Sequence, residues 1–303
     1  MATQAGATSS TAETTPVASP RVSKRRQINW RKVGRYTAVV VVVLFALGPF
    51  YWTIATSLKS GLELNFSPPT LYPHSVTTEN YTSVLTSTGS SYFVADLKNS
   101  TIVASITTIL CLIFGSLCAY AIARMKFLGK TVVLSIVLAV SMFPVIALVG
   151  PLFVTFSSWG IYNTYAALII PDLVFTLPLT IWFLTSFFRD LPRDLEEAAL
   201  VDGDTRLGAL WHVIVPLTAP GVFTTAILSF IYTWNDFLFG LTMTTDQTAQ
   251  PVTVAITLFG GQYAIPWGEI AAAAVIVTIP LVIMVLIFQR RIVSGLTAGA
   301  VKG

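Results

Sequence analysis

The chain has 303 residues, of which 54% are hydrophobic and 11% are charged, and its mean hydropathy is +0.74. A typical soluble domain has about 25% charged residues. This composition therefore predicts a helical membrane protein rather than two soluble domains. The formal net charge of +4 comes from basic residues that fall in separate loops, which argues against a nucleic-acid-binding patch.

The cysteines and histidines exclude two kinds of site. Cys111 and Cys118 lie seven residues apart in one apolar run, too far apart on a helix to form a disulfide, and are interpreted as small buried residues. His74 and His212 have no neighbouring Cys or His at metal-ligand spacing. The sequence therefore predicts neither a disulfide nor a metal centre.

The amino end divides into a tail and a first span. Residues 1–27 are rich in Ser, Thr, Ala and Pro and end in a basic cluster, so residues 1–33 are predicted to form a disordered tail. Residues 36–58 contain no charged residue and are longer than the apolar core of a signal peptide. They are predicted to cross the membrane.

Five further apolar segments are predicted to be spans. The third and fourth are separated by polar residues between Ser157 and Asn163, and the sixth precedes a tail at 291–303. In chain order the segments are residues 99–123, two within 131–188, 217–238 and 267–289. The fold predicted for residues 34–290 is an all-α polytopic membrane domain of six transmembrane helices.

The distribution of basic residues predicts the orientation. If the six segments cross in turn, 16 of the 18 Lys and Arg residues fall on one side, and only Lys59 and Lys98 fall on the other. Basic loops remain in the cytoplasm. Both termini and the segment 189–217 are therefore predicted to be cytoplasmic.

No catalytic motif is found. Gly129-Lys130-Thr131 resembles the end of a phosphate-binding loop, but Arg124 stands where the first glycine would be, and the segment lies between two spans. The chain is therefore predicted not to be an enzyme and to bind no cofactor.

Three acidic residues fall within or beside the spans. Asp236 and Glu269 are interpreted as lying at headgroup level, and Asp172 as a packed residue at a helix start or between helices. A proton-relay role for Asp172 stays open, and with it an ion-coupled secondary transporter as an alternative function.

The segment 192–216 is predicted to form two short helices. Residues 195–201 favour a helix that begins near Pro192 and ends at Gly203, and Asp204 or Thr205 can cap a second helix. Four apolar residues recur there at i, i+3, i+4 and i+7 and are predicted to pack on the membrane domain: Leu207, Leu210, Trp211 and Ile214. Two amphipathic helices lying on the headgroups are an alternative, but residues 189–216 include six acidic and three basic residues, and anionic lipid would repel this segment.

This segment resembles a known signature. Glu197-Ala198-Ala199, three residues, Gly203, nine residues, then Val213, one residue, and Val215-Pro216 is similar to the EAA loop of binding-protein-dependent ABC importer permeases, written EAA-x3-G-x9-I-x-L-P. Val213 and Val215 replace Ile and Leu of that pattern and keep its apolar character. Trp234-Asn235-Asp236 and residues 295–303 resemble the carbohydrate branch, in particular MalG-like subunits.

The resemblance implies a function and a set of sites. It implies a multi-pass cell-membrane subunit that passes a sugar or oligosaccharide delivered by an external solute-binding protein, together with a second permease and two ATPase subunits that hold ATP and Mg. The residues implied in ATPase coupling are Glu197, Ala198, Ala199, Asp202, Gly203 and Pro216. The implied ATPase contacts of the carboxyl tail are Gly295, Leu296, Thr297, Gly299 and Lys302. The loop 242–267 is implied to meet the binding protein. A membrane scaffold or insertase without cargo is a further alternative.

Overall fold

The computed structural model describes residues 30–86, 92–259 and 265–300, and side chains within 31–86, 92–259 and 265–289. Regular structure in these ranges is helical. The helices are, in chain order, α1 Trp30–Ser57, α2 Gly61–Leu64, α3 Glu79–Thr86, α4 Phe93–Arg124, α5 Lys130–Ser141, α6 Ile146–Ser158, α7 Tyr165–Asp190, α8 Asp194–Val201, α9 Arg206–Ala209, α10 Val215–Leu217, α11 Ala219–Trp234, α12 Leu238–Met243, α13 Val252–Leu258 and α14 Trp267–Ala300. A π-helical turn, Leu210–Ile214, joins α9 to α10.

Four helices in the described ranges are long and apolar enough to cross a bilayer. They are α4, α7, the part Arg31–Ser57 of α1 and the part Trp267–Gln289 of α14. Two further helix pairs pass the same test only when taken together: α5 with α6, bent by 90°, and Arg206–Leu217 with α11, bent by 85°. The prediction of an all-α membrane protein is confirmed with four to six candidate spans.

The break between α5 and α6 lies at residues 142–145 and was not predicted. Pro144 follows Phe143 there, and a residue before proline disfavours the helical conformation. The sequence analysis divided this apolar run only at residues 157–163, where α6 does end and Gly160 and Asn163 adopt positive φ angles of 71° and 58°.

The chain divides into two compact units at Gly48. The described part of the first unit is residues 30–48 of α1, whose apolar side chains are exposed, Phe45 by 85%. Residues 1–29, the greater part of the predicted tail, lie outside the described residues. Residues 30–33 are helical, whereas the sequence analysis placed them in the tail.

The second unit is a helical bundle in which α4 packs along α7, and α11 lies against α4, α7 and α14. The approach of α4 to α7 is close at Gly115, where an added Cβ would lie 2.6 Å from Thr180 Cγ2. The hydroxyls of Thr180 and Ser229 are 3.0 Å apart and link α7 to α11. Apolar clusters pack towards both ends of these helices, with Phe175 and Phe239 at one end and Leu184 and Phe188 at the other.

Candidate functional site

The segment from α8 to α10 forms a compact helix-turn-helix at one end of the bundle. Helix α8 ends at Val201, and Gly203 follows with a φ of 91°, a left-handed conformation that suits glycine. The Asp204 amide donates to the Ala199 carbonyl over 3.0 Å, which closes the turn. Thr205 then caps α9, because its Oγ1 accepts a hydrogen bond of 3.0 Å from the Gly208 amide.

The tip of this segment is formed by the end of α8 and the turn that follows it, residues 197–203. It carries small, acidic and apolar side chains. Five of the six residues implied in ATPase coupling lie here: Ala199 is half-buried, and Glu197, Ala198, Asp202 and Gly203 are exposed. The sixth, Pro216, is exposed in α10, at the other end of the segment. Val201 is also 87% exposed. Small and apolar side chains therefore lie beside the carboxylates on this surface.

A buried polar cluster fixes α8 to the end of α4. Tyr120 Oη donates to Glu196 Oε1 over 2.6 Å, and Arg124 Nε lies 3.7 Å from Glu196 Oε2. Arg124 Nη2 also donates to the Leu191 carbonyl over 3.0 Å. Because Glu196 is only 8% exposed, α8 is held by charge-assisted hydrogen bonds away from bulk water.

Glu196 is therefore a functional candidate that the sequence analysis missed. Glu196 and Glu197 are adjacent and both lie in the first turn of α8, so the sequence alone does not distinguish the buried glutamate from the exposed one. The partners of Glu196 are 76 and 72 positions away along the chain. The only available signal was the position of Arg124 at the predicted end of the second span.

The four apolar residues predicted to pack together divide into two pairs. Leu210 and Ile214 are buried against Ala119, Leu184 and Phe188. The prediction is wrong for Leu207 and Trp211, which are 58% and 42% exposed. The apolar stripe is wider than the face that the bundle covers, so Leu210 and Ile214 pack inward while Leu207 and Trp211 lie on the neighbouring exposed strip of the helix. A π-helical turn also occurs here, at Leu210–Ile214.

The loop 242–267 is attached to the opposite end of the bundle. Asn163 Nδ2 donates to Asp246 Oδ1 over 2.9 Å, and Asn99 Nδ2 donates to the Gln250 carbonyl over 3.0 Å. The hydrogen bond from Asn163 is the main cause of a lowered pKa of the Asp246 carboxyl. Residues 245–248 remain exposed at the surface. Residues 260–264 lie outside the described ranges.

The three acidic residues singled out in the sequence have different surroundings. Asp236 Oδ2 accepts a hydrogen bond of 3.1 Å from the Gly240 amide at the start of α12. Glu269 Oε1 accepts one of 2.7 Å from Ser83 Oγ. Asp172 is only 2% exposed, and within the described part of the chain its Oδ2 has no hydrogen-bond partner.

The remaining predicted residues lie in the carboxyl tail. Gly295, Leu296, Thr297 and Gly299 belong to the end of α14, where the backbone alone is described, and Lys302 lies outside the described residues. Among residues 30–86, 92–259 and 265–300, no group of three or more His, Cys, Asp or Glu could hold a metal ion.

Comparison with known proteins identifies the family. Residues 80–297 match the model of the binding-protein-dependent transport system inner membrane component family. The chain is 48% identical over 265 residues to the trehalose/maltose transport system permease protein MalG of Thermococcus litoralis, with 87% of this chain and 94% of the relative covered. It is 44% identical to the trehalose transport system permease protein SugB of Mycobacterium tuberculosis, with 88% and 97% covered.

The fold agrees with a solved structure. A chain of a bacterial ABC transporter involved in the import of the acidic polysaccharide alginate superposes with a TM-score of 0.72, covering 91% of this chain and 99% of that chain. At 21% identity this likeness concerns the fold alone. The chain therefore belongs to the binding-protein-dependent transport system inner membrane component family, and it is a non-catalytic, multi-pass permease subunit of an ABC importer.

Proposed function

We propose that this chain is one of two homologous permease subunits in a carbohydrate importer, driven by two separate ATPase subunits and supplied by an external solute-binding protein. The relatives support a carbohydrate cargo, because the names of those at 48% and 44% identity specify trehalose/maltose and trehalose. The absence of a phosphate-binding loop from the sequence supports ATP hydrolysis on another chain.

The observation that carries the proposal is the rigid attachment of an exposed tip. The side chains of Glu196, Leu210 and Ile214 fix the segment 189–217 to α4 and α7. Ala198, Val201 and Gly203 are exposed at its tip. An ATPase that binds this tip and closes on ATP would move α8 and the bundle together. The segment thus acts as a lever that converts ATPase closure into alternating access.

The orientation follows from the placement of charge. Both termini and the segment 189–217 face the cytoplasm, because 16 of the 18 Lys and Arg residues fall on that side. The loop 242–267 then faces outward, and its exposed residues 245–248 contact the solute-binding protein. In the cytoplasm the tail from Gly295 to Lys302 adds a second contact with the ATPase pair.

The coupling role is tested by adding a bulky charge to the tip. We expect Ala198→Arg to reduce both recovery of the ATPase with the permease and ATP hydrolysis stimulated by the loaded binding protein by at least tenfold. Leu128→Arg is the matched control, since Leu128 is fully exposed in the turn between α4 and α5 on the same predicted side. Normal ATPase recovery and stimulation with Ala198→Arg would contradict the proposed docking site.

A further inference from the structure

A cavity of about 580 Å³ opens beside the unpaired carboxylate of Asp172. Its walls come from α7, α11 and the start of α12, with Val145 from the break between α5 and α6. The volume falls in the range of roughly 300–1,000 Å³ that is usual for small-molecule sites. The cavity lies among the membrane-spanning helices, away from the segment 189–217.

The lining combines hydrogen-bonding groups with aromatic surface. Asp172, Asn235 and Asp236 supply the polar atoms, and Tyr232 and Phe237 supply rings. Tyr232 is 46% and Phe237 39% exposed. Oxygen acceptors beside aromatic rings suit a sugar, because a sugar has hydroxyl donors at its edge and apolar C–H groups on its face.

The buried carboxyl of Asp172 has hydrogen-bonding capacity that the described residues do not use. Buried carboxylates are normally paired or fully hydrogen-bonded, and unsatisfied ones are costly and functional. Within the ranges that the structure describes, however, Asp172 Oδ2 has no partner and takes part in no ion pair. A second cavity of about 10 Å³ also borders Asp172, together with Thr233. Thr233 is 5% exposed, and its Oγ1 has no partner among the described residues either.

The charge of the lining restricts the ligand. Two acidic side chains border the cavity, and no Lys or Arg from the described residues does so, so the lining offers no cation to pair with an anionic sugar. A divalent cation fits poorly, because calcium takes 6–8 oxygen ligands and the described residues hold no group of three acidic or His/Cys side chains suited to a metal.

We propose that this cavity is a transit subsite of this subunit, in which Asp172 accepts hydrogen bonds from the hydroxyl groups of a neutral sugar. The inference rests on the carbohydrate importer proposed above and makes it more specific. It places part of the translocation path on α7 and α11 and excludes acidic sugars as preferred cargo.

The test uses the complete complex in vesicles, with its second permease, ATPase pair and binding protein, and radiolabelled trehalose or maltose as the probe. We expect Asp172→Asn to lower the amount of sugar carried per ATP hydrolysed by about tenfold. The reason is that the Asn amide offers one acceptor oxygen in place of the two carboxyl oxygens. Tyr232→Phe, which removes one exposed hydroxyl, should lower the same ratio about threefold.

Glu79→Gln is the control, since Glu79 is an exposed acid at the start of α3, outside the cavity. A ratio within twofold of wild type for both cavity variants would overturn the subsite. So would an equal loss of uptake and ATP hydrolysis in assembled complex, because that pattern reports a structural role. If Asp172→Asn does not assemble, Tyr232→Phe decides alone. Failure of the wild-type complex to carry either sugar would instead refute the carbohydrate cargo.

Discussion

The two ends of the bundle differ in whether their buried carboxyl groups have hydrogen-bond partners. In the segment 189–217 the buried carboxylate of Glu196 is paired with Tyr120 and Arg124, and the surface turned outward is small and partly apolar. Around the cavity the acidic side chains of Asp172 and Asp236 form part of the lining, and in the described structure Asp172 Oδ2 has no hydrogen-bond partner. The difference is the one expected if the two roles proposed above are correct, with a fixed protein-binding element at one end and a site that exchanges hydrogen bonds with a solute at the other.

The largest expected effect is a difference in the free energy of unfolding between variants of two neighbouring glutamates, Glu196 and Glu197. Glu196→Ala would remove the acidic partner of the buried Arg124, which would keep only its hydrogen bond to the Leu191 carbonyl. We expect this loss to cost about 4 kcal/mol and to loosen α8 from α4. Glu197→Ala, at an exposed position, should change the free energy of unfolding by less than about 0.5 kcal/mol and yet weaken ATPase recovery. Denaturant titration of the purified chain in detergent, followed by tryptophan fluorescence, measures the first quantity. Equal losses of stability would show that Glu196 is not the anchor.

A second comparison concerns Leu207, which lies before the π-helical turn, and Leu210, which is its first residue. Leu210 is fully buried, so Leu210→Ala should cost about 3 kcal/mol. Leu207 is 58% exposed, so Leu207→Ala should cost less than about 1 kcal/mol. The same titration distinguishes them. Similar costs at both positions would mean that the four apolar residues share one packed face, as their spacing alone predicts.

The sequence predicted well those features that depend on neighbouring residues. Long apolar runs indicated the membrane helices, and Gly203 marked the turn that the structure closes with a φ of 91°. The capping role of Thr205 and the tight connection between α8 and α9 also follow from local side-chain chemistry. Each of these signals is readable within about four residues along the chain.

The features that the sequence did not predict depend on contacts between distant segments. Tyr120 and Glu196 are 76 positions apart, and Asp172 meets Asp236 around one cavity only after α7 and α11 have packed. The π-helical turn does not change which residues are apolar, so the spacing of Leu207 and Trp211 in the sequence is still that of an α-helix. The break at Pro144 was readable in principle, but an unbroken apolar run concealed it.

The smallest expected effect is on the pH dependence of stability and concerns a third carboxylate, Glu63. It tests whether a hydrogen-bonded carboxylate outside the spans stabilises the fold as Glu196 is expected to do. Its Oε1 accepts hydrogen bonds of 2.7 Å from Thr70 Oγ1 and 3.1 Å from the His74 amide. The Thr70 hydroxyl is the largest cause that lowers the pKa of Glu63 from 4.5 to about 2, with His74 adding to it. These bonds hold together the loop that follows α1.

The sign of the pH dependence follows from this lowered pKa. The ionised form is favoured by folding, so its contribution is complete above pH 4.5 and is lost as the pH falls towards 2. We expect the melting temperature of the purified chain to fall more steeply over this interval in wild type than in Glu63→Gln, because the amide does not titrate. Thr70→Val should remove most of the same difference, since it deletes the hydroxyl chiefly responsible. Other acids, including Asp246 with its own lowered pKa, titrate in all three proteins and cancel in the comparison. If the melting temperatures of the three proteins fall in parallel as the pH drops below 4.5, then the hydrogen bonds of Glu63, unlike those of Glu196, do not contribute to the stability of the fold.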